Sequence, residues 1–409
     1  MKKTFFTILA LCGAGALIWL AAGSWKVLRG IRPALKSPAQ DIARLIERAQ
    51  AGTDGVGMPL ALPPGFSISV FAKGLGSPRV MALDPEGNLL VSIPSRGRVV
   101  ALPDRDRDGI ADRILTVADG LKRPHGLAFR CAPECRLYIA EEDRVNVYSY
   151  DQKDLKAVKI KKIVDLPPGG NHVTRTLLFL PRPRDDQLLI SAGSSCNVCT
   201  EKDWRRAKVL VVPVEGGSLT TFASGLRNAV FMAIHPKTNK VWVTEMGRDW
   251  LGNDLPPDEL NIVEQGKNYG WPFCFGKNVH DADFDPREAQ ACKEPETIFS
   301  SIDIPAHSAP LGLAFFPGKG WPKEFRNDLL VAYHGSWNRS APTGYKIVRY
   351  RLDKGGKYLS VGDFITGWLT KEGTALGRPV DIMIRPDGTI FVSDDKAGVI
   401  YRIVRKNSL

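Results

Sequence analysis

The sequence predicts an all-β fold: a six-bladed β-propeller behind an N-terminal hydrophobic anchor helix. Three observations lead there. A unit of turn, apolar strand, turn and second apolar strand recurs six times between residues 78 and 393. Long stretches of helical periodicity are few across that region. A further β-rich stretch, FSISVF (66–71), stands ahead of the first unit without a partner beside it. Repeats of about 45–75 residues, each with several short strands, are the mark of radial β architectures. A β-sandwich would not repeat the same turn chemistry six times.

The units follow one another in order. PRVMAL (78–83) leads through DPEG to LLVS (89–92), and PHGLAF (124–129) leads to LYIA (137–140). NHVTRTLLF (171–179) leads to LLIS (188–191), and NAVFMAI (228–234) to VWVTE (241–245). PLGLAF (310–315) leads to LLVA (329–332), and PVDIMI (379–384) leads through RPDG to IFVS (390–393). Most units add a third strand, such as residues 99–102, 145–148 and 399–403. The lone strand at 66–71 is then expected to complete the last blade and close the ring, which removes exposed sheet edges.

Ahead of the propeller, residues 4–23 carry no charge and are long enough to span a ~30 Å hydrocarbon core. Lys2 and Lys3 precede this run, and Lys26, Arg29 and Arg32 follow it. We read it as an anchor; Ala21-Ala22-Gly23 would serve as a cleavage site were it a signal peptide. Ser37 followed by Pro38 reads as a helix start, with Ile42, Leu45, Ile46 and Ala49 on one face. Residues 51–59 form a Gly-rich linker. The expected division is therefore 1–30 signal or anchor, 31–60 short helix and linker, and 61–409 propeller.

The 409 residues are 44% hydrophobic and 24% charged, which excludes wholesale disorder. The net charge of +12 suggests nucleic acid until it is located. Half of it, +6, lies in residues 1–50, so the basic excess belongs to the topogenic segment and nucleic acid is not an expected partner. Of the seven cysteines, Cys12 lies in the apolar run, and the others fall in local pairs: Cys131/Cys135, Cys196/Cys199 and Cys274/Cys292. Behind an export segment such pairs suggest disulfides, with a zinc site or reduced core thiols as alternatives. Cys199 is followed by Thr200 and not His, so haem attachment fails. The expected location is periplasmic or otherwise extracytoplasmic, tethered to the inner membrane by the N-terminal segment, or secreted if that segment is cleaved.

In a propeller the first strand of each blade lines the channel, so polar residues at those strand starts converge at one mouth. They are Arg79, His125, His172, Arg175, Arg227, Asn228 and Arg378, and the loop from His334 to Arg339 joins them. Cationic groups with His and Asn suit a small anionic ligand. A neutral buried His suits proton abstraction from a hydroxyl. Asp249, Asp254, Asp258 and Glu259 form an acidic, Gly/Pro-rich stretch of the type calcium takes, or a solvated loop. Asp104, Asp106, Asp108 and Asp112 with Gly109 resemble a calcium loop lacking its final Glu, or form a charged turn between blades.

Seven stretches carry a family resemblance: GNHVTRTLLF (170–179), SAGSSCNVC (191–199), GLRNAV (225–230), EMGRDWLGNDLPPDELN (245–261), NYGWPFCFG (268–276), HGSWNRSAPTGYKIVR (334–349) and GRPVDIMIRPDGTIFVSDD (377–395). Together they resemble the pyrroloquinoline quinone (PQQ)-dependent sugar dehydrogenases, and among these the sorbosone dehydrogenase-like branch. The resemblance spans residues 61–405 and implies a six-bladed propeller holding PQQ and Ca²⁺. It implies His172 as the general base that takes the proton from a sugar hydroxyl while hydride passes to PQQ. Arg227, Asn228 and Arg378 match cofactor-contacting positions, with Lys346 or Arg339 as a further cationic contact. His125 and His334, at equivalent mouth positions, are grouped with them. The carbonyls of Gly247 and Arg248 match holders of the catalytic calcium, and Glu259 and Tyr269 match ligands of a second calcium.

Ser194 stands where glucose-oxidising members place an Asp that supports the base, so a differently oriented base, weaker activity or a substrate other than glucose is expected; the substrate class the resemblance implies is an aldose or a sorbosone-like sugar aldehyde. With no haem motif, electrons must leave to a separate cytochrome or quinone. A calcium-dependent lactonase-type hydrolase and a non-catalytic binding propeller are the competing readings.

Overall fold

The computed structural model describes residues 56–131, 134–293, 295 and 297–405. The anchor and the short helix expected before residue 50 lie outside the described residues. Among the described residues no helix is long and apolar enough to cross a membrane.

Six four-stranded antiparallel sheets make the six expected blades. Blade 1 comprises Met81–Leu83, Leu89–Ile93, Arg98–Leu102 and Leu115–Ala118. Blade 2 runs from Leu127–Cys131 to Lys156–Asp165, and blade 3 from Leu177–Phe179 to Thr220–Ser224. Blade 4 begins at Ala229–Ile234 and ends at Ile302–Ile304, blade 5 begins at Pro310–Phe315 and ends at Tyr358–Ile365. Blade 6 takes Pro379–Ile384, Thr389–Asp394 and Val399–Arg405, and its outermost strand is Phe66–Ala72 from the other end of the chain. That strand pairs with Val399–Arg405, Phe66 opposite Arg405 and Val70 opposite Tyr401, so the ring is closed as expected. Each first strand also contacts the first strands of its two neighbours around the axis.

The second strands explain why the repeat was so visible. Leu89–Ile93, Val241–Glu245, Leu329–Tyr333 and Thr389–Asp394 are buried along their whole length, each covered on both faces by adjacent blades. Strands buried on two faces read as continuous apolar runs. The fourth strands are the opposite case. Lys156–Asp165 and Tyr358–Ile365 are mostly exposed, and their mixed polar sequences gave no comparable signal. Lysines on such outer edges oppose edge-to-edge pairing.

Three features refine the expected division. Val56, at the end of the linker, is buried in the same cluster as Phe66, Trp368 and Tyr401, so chain ahead of residue 61 packs on the propeller. Blade 4 carries an insertion between its third and fourth strands, with a small hairpin of Cys274–Phe275 and Val279–His280. The Asp104–Asp108 turn joins the third and fourth strands within blade 1, and does not lie between blades. The three expected disulfides are formed: Cys131–Cys135, Cys196–Cys199 and Cys274–Cys292.

Candidate active site

Blade geometry decides which residues meet. The first and second strands of a blade are antiparallel, so residues just before the first and just after the second lie at the same end. That end collects Arg79, His125, His172, Arg227, Asn228 and Arg378 from the strand entries. From the second-strand exits it collects Ser194, Met246, Gly247, His334 and Asp395. The exits were the overlooked half: Asp395 and Asn197 carry much of the site's wiring, and their signal was a position after a second strand.

His172 is held from below. Its Nδ1 lies 3.0 Å from the Ser194 carbonyl oxygen and 2.9 Å from Ser194 Oγ. A carbonyl only accepts, so Nδ1 carries the hydrogen and Nε2 is left as the bare acceptor. Ser194 Oγ gives its own hydrogen to the Cys196 carbonyl at 2.7 Å. Burial, then the nearby Arg227 charge, push the His172 imidazole down to about 3, so it is neutral at pH 7. Gly193 lies between His172 and Asn228. A Cβ there would stand 2.6 Å from both His172 Cβ and Asn228 Oδ1, so no larger residue fits without displacement.

Arg227 is 5% exposed and fixed on every side. Its Nε donates to the Asn197 carbonyl at 2.8 Å. Its two terminal nitrogens reach Asn197 Oδ1 (2.9 Å), the Gly247 carbonyl (3.0 Å) and Asp249 (3.3 Å). Asn338 donates to the other Asp249 oxygen at 2.6 Å. Trp250 and Trp337, the neighbours of Asp249 and Asn338, are exposed and meet edge to face at 5.2 Å.

Across the mouth, His334 Nε2 bonds Asp395 at 2.9 Å, and Arg79 bonds the other Asp395 oxygen at 2.7 Å. Arg378 donates to the carbonyls of His334 and Gly335 and covers the Tyr345 ring. His125 is almost wholly buried, with Nδ1 3.3 Å from the Arg175 carbonyl and Nε2 unpartnered within the protein. It lines a cavity of about 180 Å³ with Arg79, Arg123 and Thr174.

Several expected residues do not converge. The Arg175 guanidinium turns inward to the carbonyls of Pro167, His172 and Thr174, bracing the backbone around His172. Arg339 is paired with Asp254 at 2.8 Å and bonds the Asn253 carbonyl, and Lys346 is paired with Asp363 at 2.6 Å. Both charges are paired within the protein, as are those of Arg79 with Asp395 and Arg227 with Asp249. The acidic stretch also separates into different roles. Asp258 pins the backbone N–H groups of Gly247 and Ala309, Asp249 serves Arg227, and Asp254 is a surface partner.

Glu259 instead faces a small cavity of about 20 Å³ lined by Glu245, Glu259, Tyr269 and Asp281. Glu245 Oε2 is buried there without a partner, and Glu259 is pushed up to about 7, by burial first. Burial and the Glu259 charge also raise Glu245 well above its usual range. An unpartnered buried carboxylate beside a second one is costly unless a proton or a cation resides there. The Tyr269 hydroxyl is engaged by the Ile262 carbonyl and the Glu264 N–H, so its backbone carbonyl is what it has to offer a metal.

The fold has counterparts among known proteins. The TrAA12-like family profile matches residues 60–406. An uncharacterised protein of Borreliella burgdorferi is 31% identical over 371 residues, covering 88% of this chain and 94% of its own length. A PQQ-dependent pyranose dehydrogenase of Coprinopsis cinerea is 25% identical over 406 residues, covering 83% of this chain; the match spans 54% of that protein's length. Among solved structures, the holo form of the pyranose dehydrogenase PQQ domain from Coprinopsis cinerea superposes with a TM-score of 0.72 at 21% identity, covering 85% of this chain and 97% of that one. At that identity the superposition establishes the fold.

Proposed function

The chain belongs to the TrAA12-like family, and on that premise we propose that it is a PQQ-dependent oxidoreductase of sugars, acting on an aldose or a sorbosone-like sugar aldehyde. The observation that carries this reading is the tautomer of His172. With Nδ1 committed to the Ser194 carbonyl, Nε2 is an unprotonated base beside Arg227 and Asn228. PQQ, when bound, supplies the two-electron acceptor for the substrate's hydride, with Ca²⁺ polarising its carbonyl as a Lewis acid.

The protein's own contributions follow from its groups. His172 Nε2 takes the proton of the hydroxyl on the carbon being oxidised, which a sugar aldehyde supplies as its hydrate. Arg227, Asn228, Arg79 and Arg378 supply donors suited to the cofactor's carboxylates. The Gly247 and Arg248 carbonyls would hold the catalytic ion. Gly247 already accepts from Arg227, and its second lone pair remains for a metal. Glu245, Glu259 and the Tyr269 carbonyl would hold the second ion. The donor set is all oxygen, as calcium prefers, and the unpartnered Glu245 Oε2 fits that occupant. The exposed Trp250–Trp337 pair offers apolar ring surface at the rim to a sugar face. Three disulfides favour an oxidising, extracytoplasmic location, and a separate cytochrome or quinone is the proposed electron acceptor.

The test is reconstitution. Apo-protein with PQQ and Ca²⁺ is expected to reduce an artificial dye when given aldoses or sugar aldehydes. No PQQ binding by optical titration, and no activity across such a panel, would sink the proposal. Calcium has its own signature. Buried Glu259 is neutral below about 7 and must ionise to ligate. Its raised value favours the metal-free fold at low pH and loses that contribution as pH rises through 7. Calcium is therefore expected to raise the melting temperature more at pH 8 than at pH 5. Equal shifts at both pH values would refute the carboxylate site.

A further inference from the structure

The loop of residues 193–201 touches both of the side chains that the proposed reaction needs most. Ser194 holds His172 Nδ1 and is itself bonded to the Cys196 carbonyl. Three residues on, Asn197 lies between the bridged Cys196 and Cys199 and clamps Arg227 with both its carbonyl and its side-chain oxygen. The same Asn197 Oδ1 accepts from the Asp249 N–H at 2.8 Å, and its Nδ2 donates to the Asp249 carbonyl at 3.1 Å. This ties the loop to the segment carrying Gly247 and Arg248. On the near side, Glu201 holds the Ser195 N–H and hydroxyl, and the Ser195 carbonyl accepts from the Asn171 N–H beside the base.

We propose that this disulfide-closed loop is the positioning element of the site, with Ser194 orienting His172 and Asn197 acting as the positioning residue for Arg227. The proposal rests on the PQQ reading above. The physical reason lies in the loop's makeup. A short polar loop loses conformational entropy on ordering, and few apolar contacts offset that loss. A covalent bridge across residues 196–199 removes part of the freedom beforehand, so Asn197 is presented to Arg227 already oriented. Ser194 is neutral and adds no charge to the base, so geometry is what it contributes. The Cys131–Cys135 bridge spans the turn between the first two strands of blade 2, at the end opposite the mouth, and serves as an internal control.

The test is an optical titration of PQQ, with Ca²⁺ present, against wild type, Asn197→Ala, the Cys196→Ser/Cys199→Ser double variant and the Cys131→Ser/Cys135→Ser double variant. Asn197→Ala is expected to raise the PQQ Kd about tenfold while kcat at saturating PQQ stays within about threefold. The Cys196/Cys199 variant frees Ser194 as well, so it is expected to raise Kd and also lower kcat about tenfold. The Cys131/Cys135 variant is expected to match wild type in both. PQQ binding within about twofold of wild type in Asn197→Ala overturns the proposal. Equal weakening in the Cys131/Cys135 variant overturns it too, since that marks general destabilisation. Should the Cys196/Cys199 variant not fold, Asn197→Ala decides, because it keeps all three bridges. Wild type that binds no PQQ removes the functional reading itself, a result distinct from either of these.

Discussion

His172 and His334 sit across the same mouth, and both are partly buried histidines beside an arginine. Their second partners separate them. His172 gives Nδ1 to a neutral serine carbonyl and keeps Nε2 bare. His334 commits Nε2 to Asp395, which also holds Arg79. Burial pushes the His334 ring down to about 4, partly opposed by Asp395. Burial opposes ionisation of Asp395, yet His334 and Arg79 hold its carboxyl well below the usual range. Residue type and depth do not make a catalytic base; the free nitrogen does. The blade 3–4 side presents a bare imidazole nitrogen, and the blade 5–6 side commits its imidazole to a carboxylate.

Four experiments sharpen or break that contrast. The largest effect is expected from His172→Ala, a loss of about a thousandfold in kcat with PQQ affinity nearly unchanged, read by steady-state kinetics and titration. A loss under tenfold would remove His172 from the base role. Arg227→Ala comes next. It should weaken PQQ binding by roughly ten- to a hundredfold, because a charged donor is lost and the acceptors on Asn197 and Gly247 are left unpaired.

The pH profile of kcat/KM follows. Reaction needs neutral His172, and its folded value of about 3 keeps it neutral well into acid. An ordinary histidine would lose about twenty-five-fold between pH 7 and pH 5. Activity is therefore expected to hold over that interval, and an acid limb near 6.5 would contradict the environment described. For stability the sign is the same. The unfolded chain binds the proton more readily, so this group's contribution is complete above about 6.5 and is lost as pH falls toward 3.

The smallest catalytic effect is expected from His334→Ala. It leaves Asp395 with Arg79 alone and should lower the melting temperature by a few degrees. Turnover per bound PQQ should stay within about threefold. A collapse of kcat with intact folding would make the two histidines equivalent and end the contrast.

The elements that proved legible in sequence share one property. Second strands, and the turns between first and second strands, are dictated locally: two-sided burial demands unbroken apolar residues, and the turns demand Pro, Asp and Gly. These gave the blade number, the closing strand at 66–71 and the residues at the strand entries. The outer strands escaped because exposure relaxes their composition, as in Lys156–Asp165. Arg175, Arg339 and Lys346 show a related limit. A cation at a strand entry or rim loop is visible in sequence, but the direction of its guanidinium or ammonium is not. In the fold each found carbonyls or a carboxylate within the protein.

Sequence alone determined that this chain is a closed ring of six β units with a polar mouth, because periodic burial and turn chemistry act over a few residues at a time. It also paired the cysteines, since each pair is close along the chain. Tertiary structure alone decided which polar residues form a site. Asn197 reaches Arg227, Asn338 reaches Asp249, and His334 reaches Asp395, each across 30 or more positions of sequence. Those contacts depend on how six blades close around an axis, and a hydrogen bond exists only where that closure brings donor and acceptor within about 3 Å.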